Sequence, residues 1–106
     1  MVGKTGYLIP MIRKYDPAFI KTLKKLDVRI RKSFKQKIAI FAQDPNNSEL
    51  SNHPLTKEYL RYRSIDITND YRAIYEEINE GSESIAYFFI IGTHEQLYKK
   101  TPKEEG

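Results

Sequence analysis

YRSIDITNDYRAIYEEINEGSESIAYFFIIGTHEQLY, residues Tyr62 to Tyr98, decides the fold. From about Arg61 to Ile67, Ile65 and Ile67 alternate with Ser64 and Asp66, which predicts a strand with one apolar face. Asn69 and Asp70 tolerate positive φ better than most residues, so they predict a tight turn. Tyr71 to Asn79 reads as the next strand, and Glu80-Gly81-Ser82-Glu83 as the next turn. Ser84 to Thr93 is the most apolar stretch of the chain and predicts a central strand buried on both faces. Three strands joined by short turns form an antiparallel meander. With Asn79 opposite Ser84, counting sets Arg72 opposite Ile91 and Asp70 opposite Thr93, beside His94. Counted in the same way, the first hairpin puts Glu76 opposite Arg63.

Upstream, Asp44-Pro45-Asn46-Asn47-Ser48 is a dense turn cluster, followed by a loop through Asn52-His53-Pro54. Before it, Ile30, Phe34, Ile38 and Phe41 recur at helical spacing, with Arg29 and Lys32 on the opposite side and Asp27 placed to cap the helix. Asp16-Pro17 predicts an earlier helix start, continued by Phe19, Leu23 and Leu26. Tyr7 to Lys14 reads as a short strand, and Pro10, which has no N–H, places it at a sheet edge. The tail from about Lys99 is polar, with fraying expected. The order strand, helix, helix, three strands predicts an α+β fold: an antiparallel sheet with an N-terminal helical hairpin packed on one face. The other face is expected to stay partly open.

The length of 106 residues suits one domain, spanning 1–106. No apolar run approaches the roughly 20 residues of a membrane-spanning helix, and the start lacks the apolar block of a signal peptide. No membrane association and a cytoplasmic location are therefore expected. Without cysteine, disulfides, thiol nucleophiles and thiolate metal sites are excluded, and the 2 histidines argue against a structural zinc site. The net charge of +4 conceals an asymmetry. Residues 1–40 contain eleven Lys or Arg against two Asp, leaving an excess of acid in the remainder. That basic helical half, including Lys24, Arg29 and Lys32, is suited to nucleic-acid phosphates or to an acidic protein, and equally to a solvated helix surface.

The residues able to do chemistry gather at the ends of the strands. His53 and His94 both fall just outside predicted strands, and a pair of imidazoles can divide acid and base roles near neutrality. Arg72 opens a strand, and its guanidinium suits a phosphate whose charge grows during phosphoryl transfer. Arg63 is balanced between an RNA contact and an ion pair with Glu76. Asp70 is a candidate carboxylate that also suits a turn. Tyr98 can stack on a base or pin the C-terminal segment by packing. No phosphate-binding glycine loop, nucleophilic serine motif or carboxylate-rich magnesium site is present. Such a set fits cofactor-free, metal-free acid–base chemistry, such as attack of an RNA 2′-hydroxyl on the adjacent phosphate.

At these residues the sequence resembles the RelE/ParE superfamily of toxins from prokaryotic toxin–antitoxin pairs, and most of all its YafQ-type messenger-RNA interferases. The resemblance runs through the helical hairpin, Asp44-Pro45, His53-Pro54-Leu55, Tyr62-Arg63-Ser64-Ile65-Asp66-Ile67, Asp70-Tyr71-Arg72-Ala73-Ile74-Tyr75, and Gly92-Thr93-His94 with Leu97-Tyr98. It implies a RelE-like β-α-α-β-β-β fold and a toxin that cuts messenger RNA in the ribosomal A site without a cofactor. It further implies catalytic roles for His53, Asp70, Arg72, His94 and Tyr98. His94 would be the general acid, His53 and Asp70 would assist 2′-hydroxyl activation, and Arg72 would stabilise the transition state. Arg63, Lys24, Arg29 and Lys32 are the expected RNA contacts. The implied partners are the ribosome with its ribosomal RNA, messenger RNA, and a cognate antitoxin in a hetero-oligomer. Two positions depart from the pattern: Asp66 stands where some relatives have histidine, and Arg61 where glycine often precedes the strand. The same superfamily resemblance also implies two alternatives, a non-enzymatic ParE-like inhibitor of DNA gyrase and an inactive toxin that retains only antitoxin binding.

Overall fold

Two aspartates set where the helices begin. The Asp16 carboxylate accepts the backbone N–H of Ala18 at 2.8 Å, and Pro17 takes the first helical position of α1 (Pro17–Lys25). Asp27 accepts the N–H of Arg29 at 2.7 Å and opens α2 (Val28–Gln43). Each cap satisfies a donor that the first helical turn cannot pair internally. Leu26 is extended, with φ −80° and ψ 159°, so α1 stops there and only Leu26 and Asp27 separate the two helices. Asp44, also extended and followed by Pro45, stops α2.

The computed structural model describes residues 11–55 and 61–100, the side chains of 98–100 excepted. In chain order the elements are β1 (Ile12–Tyr15), α1, α2, a 3-10 turn at Ser48–Leu50, β2 (His53–Pro54), β3 (Tyr62–Asp66), β4 (Tyr71–Glu80), β5 (Glu83–Thr93) and α3 (His94–Lys100). The sheet order is β1-β5-β4-β3-β2. The expected α+β class holds, and β1 lies at a sheet edge as expected, although residues 7–10 of the expected strand fall outside the described residues. Three features differ from expectation. First, β1 runs parallel to β5, with Ile12 opposite Ile85 and Tyr15 opposite Phe88, so the sheet is only mostly antiparallel. Parallel neighbours need a long crossover, and here the helices and the rest of the sheet lie between the two strands in sequence. Second, His53 and Pro54, expected in a loop, pair with Ser64 and Arg63 as the short edge strand β2. Third, the chain continues as a helix from His94 to Lys100, through the start of the expected polar tail.

Register carries the correction that matters most. The hairpin closes with Asn79 opposite Ser84 as counted, and Gly81 has φ +60°, the left-handed conformation its two-residue loop requires. Between Ile74 and Tyr75 a bulge then intervenes, because Tyr75 faces Phe88 while Ile74 faces Ile90. The extra residue, Phe89, shifts every later pair by one. Arg72 therefore stands opposite Gly92, and Tyr71, in the place expected for Asp70, stands opposite Thr93. The first hairpin is also offset by one, with Arg63 opposite Tyr75 and Glu76 opposite Tyr62. The expected Arg63–Glu76 pair is replaced by an Arg61–Glu76 bridge of 3.0 Å.

The helical hairpin covers one face of the sheet. Phe19, Phe34 and Phe41 pack with Leu50, Ile65, Ile67, Ala73, Tyr75, Ala86, Phe88 and Ile91 into one buried cluster. Phe88 is its centre, with ring centroids of Tyr15, Phe19, Phe41 and Tyr75 at 5.5, 5.8, 5.5 and 5.0 Å. The intervening positions of β3 and β4, which include Ser64, Asp66, Arg72 and Ile74, lie on the other face by strand alternation.

Candidate active site

The turn between β3 and β4 is built by Thr68. Its hydroxyl accepts the N–H groups of Asp70 and Tyr71 at 3.2 and 3.0 Å, while the Tyr71 carbonyl accepts those of Ile67 and Thr68. The expected Asn69-Asp70 turn is thus organised by a neighbouring hydroxyl, as such side chains do where they compete for backbone donors. Lys37 of α2 donates its ammonium to the Ile67 carbonyl at 3.2 Å and ties the turn to the helical layer. Asp70, held at the turn, accepts the backbone N–H of His94 on its own carbonyl at 3.0 Å.

His94 is placed by a second local device. Thr93 Oγ1 accepts the N–H of Gln96 at 3.1 Å, and Gln96 Oε1 accepts the N–H of Thr93 at 2.9 Å. This reciprocal pair is a capping box at the start of α3. Thr93 and Gln96 have the spacing that signals such a box, a cue the strand-centred reading passed over. Gly92 makes the arrangement possible, since a Cβ there would come within 2.9 Å of Gln96 Oε1. Leu97, buried at 6% exposure, anchors the helix on β5.

Arg72 is the centre of charge at this end of the sheet. Its Nε lies 3.1 Å from Asp66 Oδ1 across the β3–β4 pair, with the side chains 26% and 29% exposed. A pair at that depth is less screened than one fully in water. Asp66, Arg72 and Gly92 lie in one row on the face away from the helical hairpin. His53 pairs with Ser64, two residues before Asp66, so it belongs to the same face and lies diagonally adjacent to Asp66 at about 7–8 Å between backbones. Its Nδ1 is 2.8 Å from the Ser51 carbonyl. A carbonyl only accepts, so Nδ1 carries the proton, and in the neutral ring Nε2 presents the lone pair. Ser51 reaches that position through a left-handed conformation, φ 48°.

The other candidates are distributed differently. Arg63 lies on the helix-covered face, where its Nε donates to Asn52 Oδ1 at 2.7 Å. Asn52 Nδ2 donates in turn to the Tyr75 hydroxyl at 2.8 Å and to the Pro45 carbonyl at 2.9 Å. Burial pushes the Tyr75 phenol up, and the Asn52 hydrogen bond partly opposes that shift. Lys24, Arg29 and Lys32 are exposed on α1 and α2, and Arg29 lies 3.6 Å from Asp27. Tyr98 falls in α3, four residues after His94, and its side chain lies outside the described residues. Arg61 lies over the ring of Tyr62, whose own ring meets Phe89 edge-on at 5.4 Å. Among the described residues no group of three or more His, Asp or Glu is placed to hold a metal ion. No helix among them is long and apolar enough to cross a membrane.

Comparison with known proteins points in one direction. Residues 13–98 match the family described as ParE toxin of type II toxin–antitoxin system, parDE. No curated protein matches in sequence. Among solved structures, the RelB–RelE antitoxin–toxin complex from Methanococcus jannaschii matches at 26% identity and TM-score 0.60, over 84% of this chain and 99% of that one. The E. coli DinJ–YafQ toxin–antitoxin complex matches at 20% identity and TM-score 0.66, over 85% and 99%. The YoeB/ParE toxin from Agrobacterium tumefaciens matches at 20% identity and TM-score 0.65, over 79% and 99%.

Proposed function

The chain belongs to the ParE toxin family of type II toxin–antitoxin systems, within the RelE/ParE superfamily, and from that premise we propose that it is a ribosome-dependent endoribonuclease. The observation that carries the proposal is the junction of Asp70 and His94, held by a backbone hydrogen bond of 3.0 Å beside the Asp66–Arg72 pair. This junction supports assigning an activating carboxylate, a general acid and a phosphate-binding cation to one end of the sheet, with His53 reaching it from β2. In the proposed reaction the RNA 2′-hydroxyl loses its proton to His53 Nε2, assisted by Asp70, and its oxygen attacks the adjacent phosphorus. The bond from phosphorus to the 5′-oxygen breaks, and His94 gives that oxygen a proton. A 2′,3′-cyclic phosphate and a free 5′-hydroxyl result. Arg72 stabilises the charge on the phosphorane-like transition state, and Tyr98 stacks on a base.

Charge segregation supports dependence on the ribosome. Lys24, Arg29 and Lys32 sit on the exposed surface of the helical hairpin, whereas Arg72 on the other face has a carboxylate beside it. The helices supply attraction to ribosomal RNA phosphates, and the site meets the messenger only once docked. An acidic segment of a cognate antitoxin is the proposed occupant of the basic surface when the toxin is silent; the structural relatives include toxin–antitoxin complexes. Arg63, bound to Asn52 on the helix-covered face, lies apart from the Asp66–Arg72 row, and in this reading it contacts RNA outside the cleavage site. The chain acts as one toxin domain, in the cytoplasm with the ribosomes.

The test is an in vitro translation reaction with cuts mapped by primer extension. Wild type is expected to cut translated messenger RNA, while His94→Ala and Arg72→Ala cut far more slowly and remain folded. Wild-type cutting by both variants removes the assigned site. The match to the ParE family favours one second reading, a non-enzymatic inhibitor of DNA gyrase. Gyrase inhibition in a supercoiling assay, with no RNA cut, establishes that reading instead.

A further inference from the structure

We propose that Asp66 is the positioning residue for Arg72, holding the guanidinium by its Nε edge so that the remaining N–H donors face a substrate phosphodiester. This inference rests on the proposed RNA-cleaving function. Three observations carry it. Asp66 and Arg72 are directly opposite in the β3–β4 ladder, and Asp66 Oδ1 meets Nε at 3.1 Å. Both side chains are about three-quarters covered, so their attraction is less screened by water than that of a fully exposed pair. On the other flank, Arg72 faces Gly92, which offers no side chain of its own to orient the guanidinium.

A guanidinium has five donors in a rigid plane, and one carboxylate occupies only one edge of it. Fixing that edge fixes the plane and leaves other donors for a phosphate. A free arginine side chain loses considerable rotamer entropy when it binds, so prior ordering lowers the cost of engaging the transition state. The carboxylate also offsets the charge of Arg72, so it opposes ground-state binding of RNA while favouring alignment. Asp66 therefore acts on turnover through Arg72 and leaves substrate affinity unchanged or weaker.

The expected signature is a split between kcat and KM. For cutting of messenger RNA on programmed ribosomes, Asp66→Ala lowers kcat roughly 10- to 100-fold, the scale of a misplaced catalytic group, with KM unchanged or lower. Asp66→Asn keeps an acceptor for the Nε–H and recovers most of the rate. Added to Arg72→Ala, Asp66→Ala has no further effect, as expected of a residue acting through its partner. In parallel, NMR of the isolated toxin follows the Arg72 Nε–H signal, which is ordered in the wild type and mobile in Asp66→Ala. Wild-type kcat in Asp66→Ala, equal loss in Asp66→Asn and Asp66→Ala, additivity with Arg72→Ala, or an Nε–H signal equally mobile in wild type and Asp66→Ala overturns the inference. An Nε–H ordered by Asp66 in a wild type that cuts no RNA overturns the proposed function while supporting the positioning of Arg72.

Discussion

A methyl group at position 92 would meet the side-chain oxygen of Gln96 at 2.9 Å, with Leu97 close behind at 3.5 Å. The glutamine is the flexible partner, so Gly92→Ala is expected to displace its amide from the Thr93 N–H and open the capping box. Stability should fall by about 1 kcal/mol, the usual value of a lost cap, and the His94 backbone signal should shift, as measured by thermal unfolding and NMR. An unchanged His94 signal would show that another contact places the helix start. Asn52 is a second residue whose importance exceeds its size, since it joins Arg63, Tyr75 and Pro45. Asn52→Leu strips partners from the guanidinium and the phenol at once. It should cost about 1–3 kcal/mol in denaturant unfolding, the penalty for buried polar groups left unpaired. His53, Asp70, Arg72 and His94 stood out in the sequence because few other residues have suitable chemistry. Ser51, Asn52 and Gln96 did not, because their roles exist only through partners that folding brings near.

At the scale of elements, both helix-capping carboxylates titrate below the usual range, Asp16 through hydrogen bonds from the Tyr87 hydroxyl and the Ala18 N–H, and Asp27 mainly through the Arg29 N–H. A carboxyl whose folded-state value is depressed contributes stability that is fully present above its unfolded value and is lost as pH falls through the folded one. The caps should therefore support the helices at neutral pH and weaken below about pH 4. In Asp16→Asn and Asp27→Asn this part of the acid unfolding profile should flatten, as followed by circular dichroism. A profile identical to wild type would assign acid unfolding to other carboxylates. These caps were legible because Asp-Pro and a lone Asp before an apolar stripe are local signals. The bulge at Phe89 was not, since the unbroken apolar run from Phe88 to Ile91 fits several registers almost equally.

For the molecule as a whole, the aromatic cluster joins the two layers. Phe41 is fully buried and meets Tyr75 at 5.1 Å and Phe88 at 5.5 Å, both edge-on. Phe41→Ala should lower stability by about 3–5 kcal/mol in chemical denaturation. A loss below 1 kcal/mol would mean that the two layers close over the gap. The separation of charge makes a different prediction. Replacing Lys24, Arg29 and Lys32 together by Glu should leave the fold intact and weaken binding to ribosomes, with a shallower salt dependence because fewer counterions are released. Unchanged ribosome binding across salt concentrations would remove the helices from the docking surface.

Alternation and helical spacing in the sequence alone determined that a helical hairpin covers one face of a meander, because both are repeated over many residues and tolerate local error. Capping by Asp16 and Asp27 followed from chemistry within three residues. The parallel alliance of β1 with β5, the pairing of His53 with Ser64 and the ion pair of Asp66 with Arg72 were decided only in three dimensions. Each depends on distant segments whose pairing is set by packing of the shared core, and a single bulged residue was enough to replace Ile91 with Gly92 opposite Arg72.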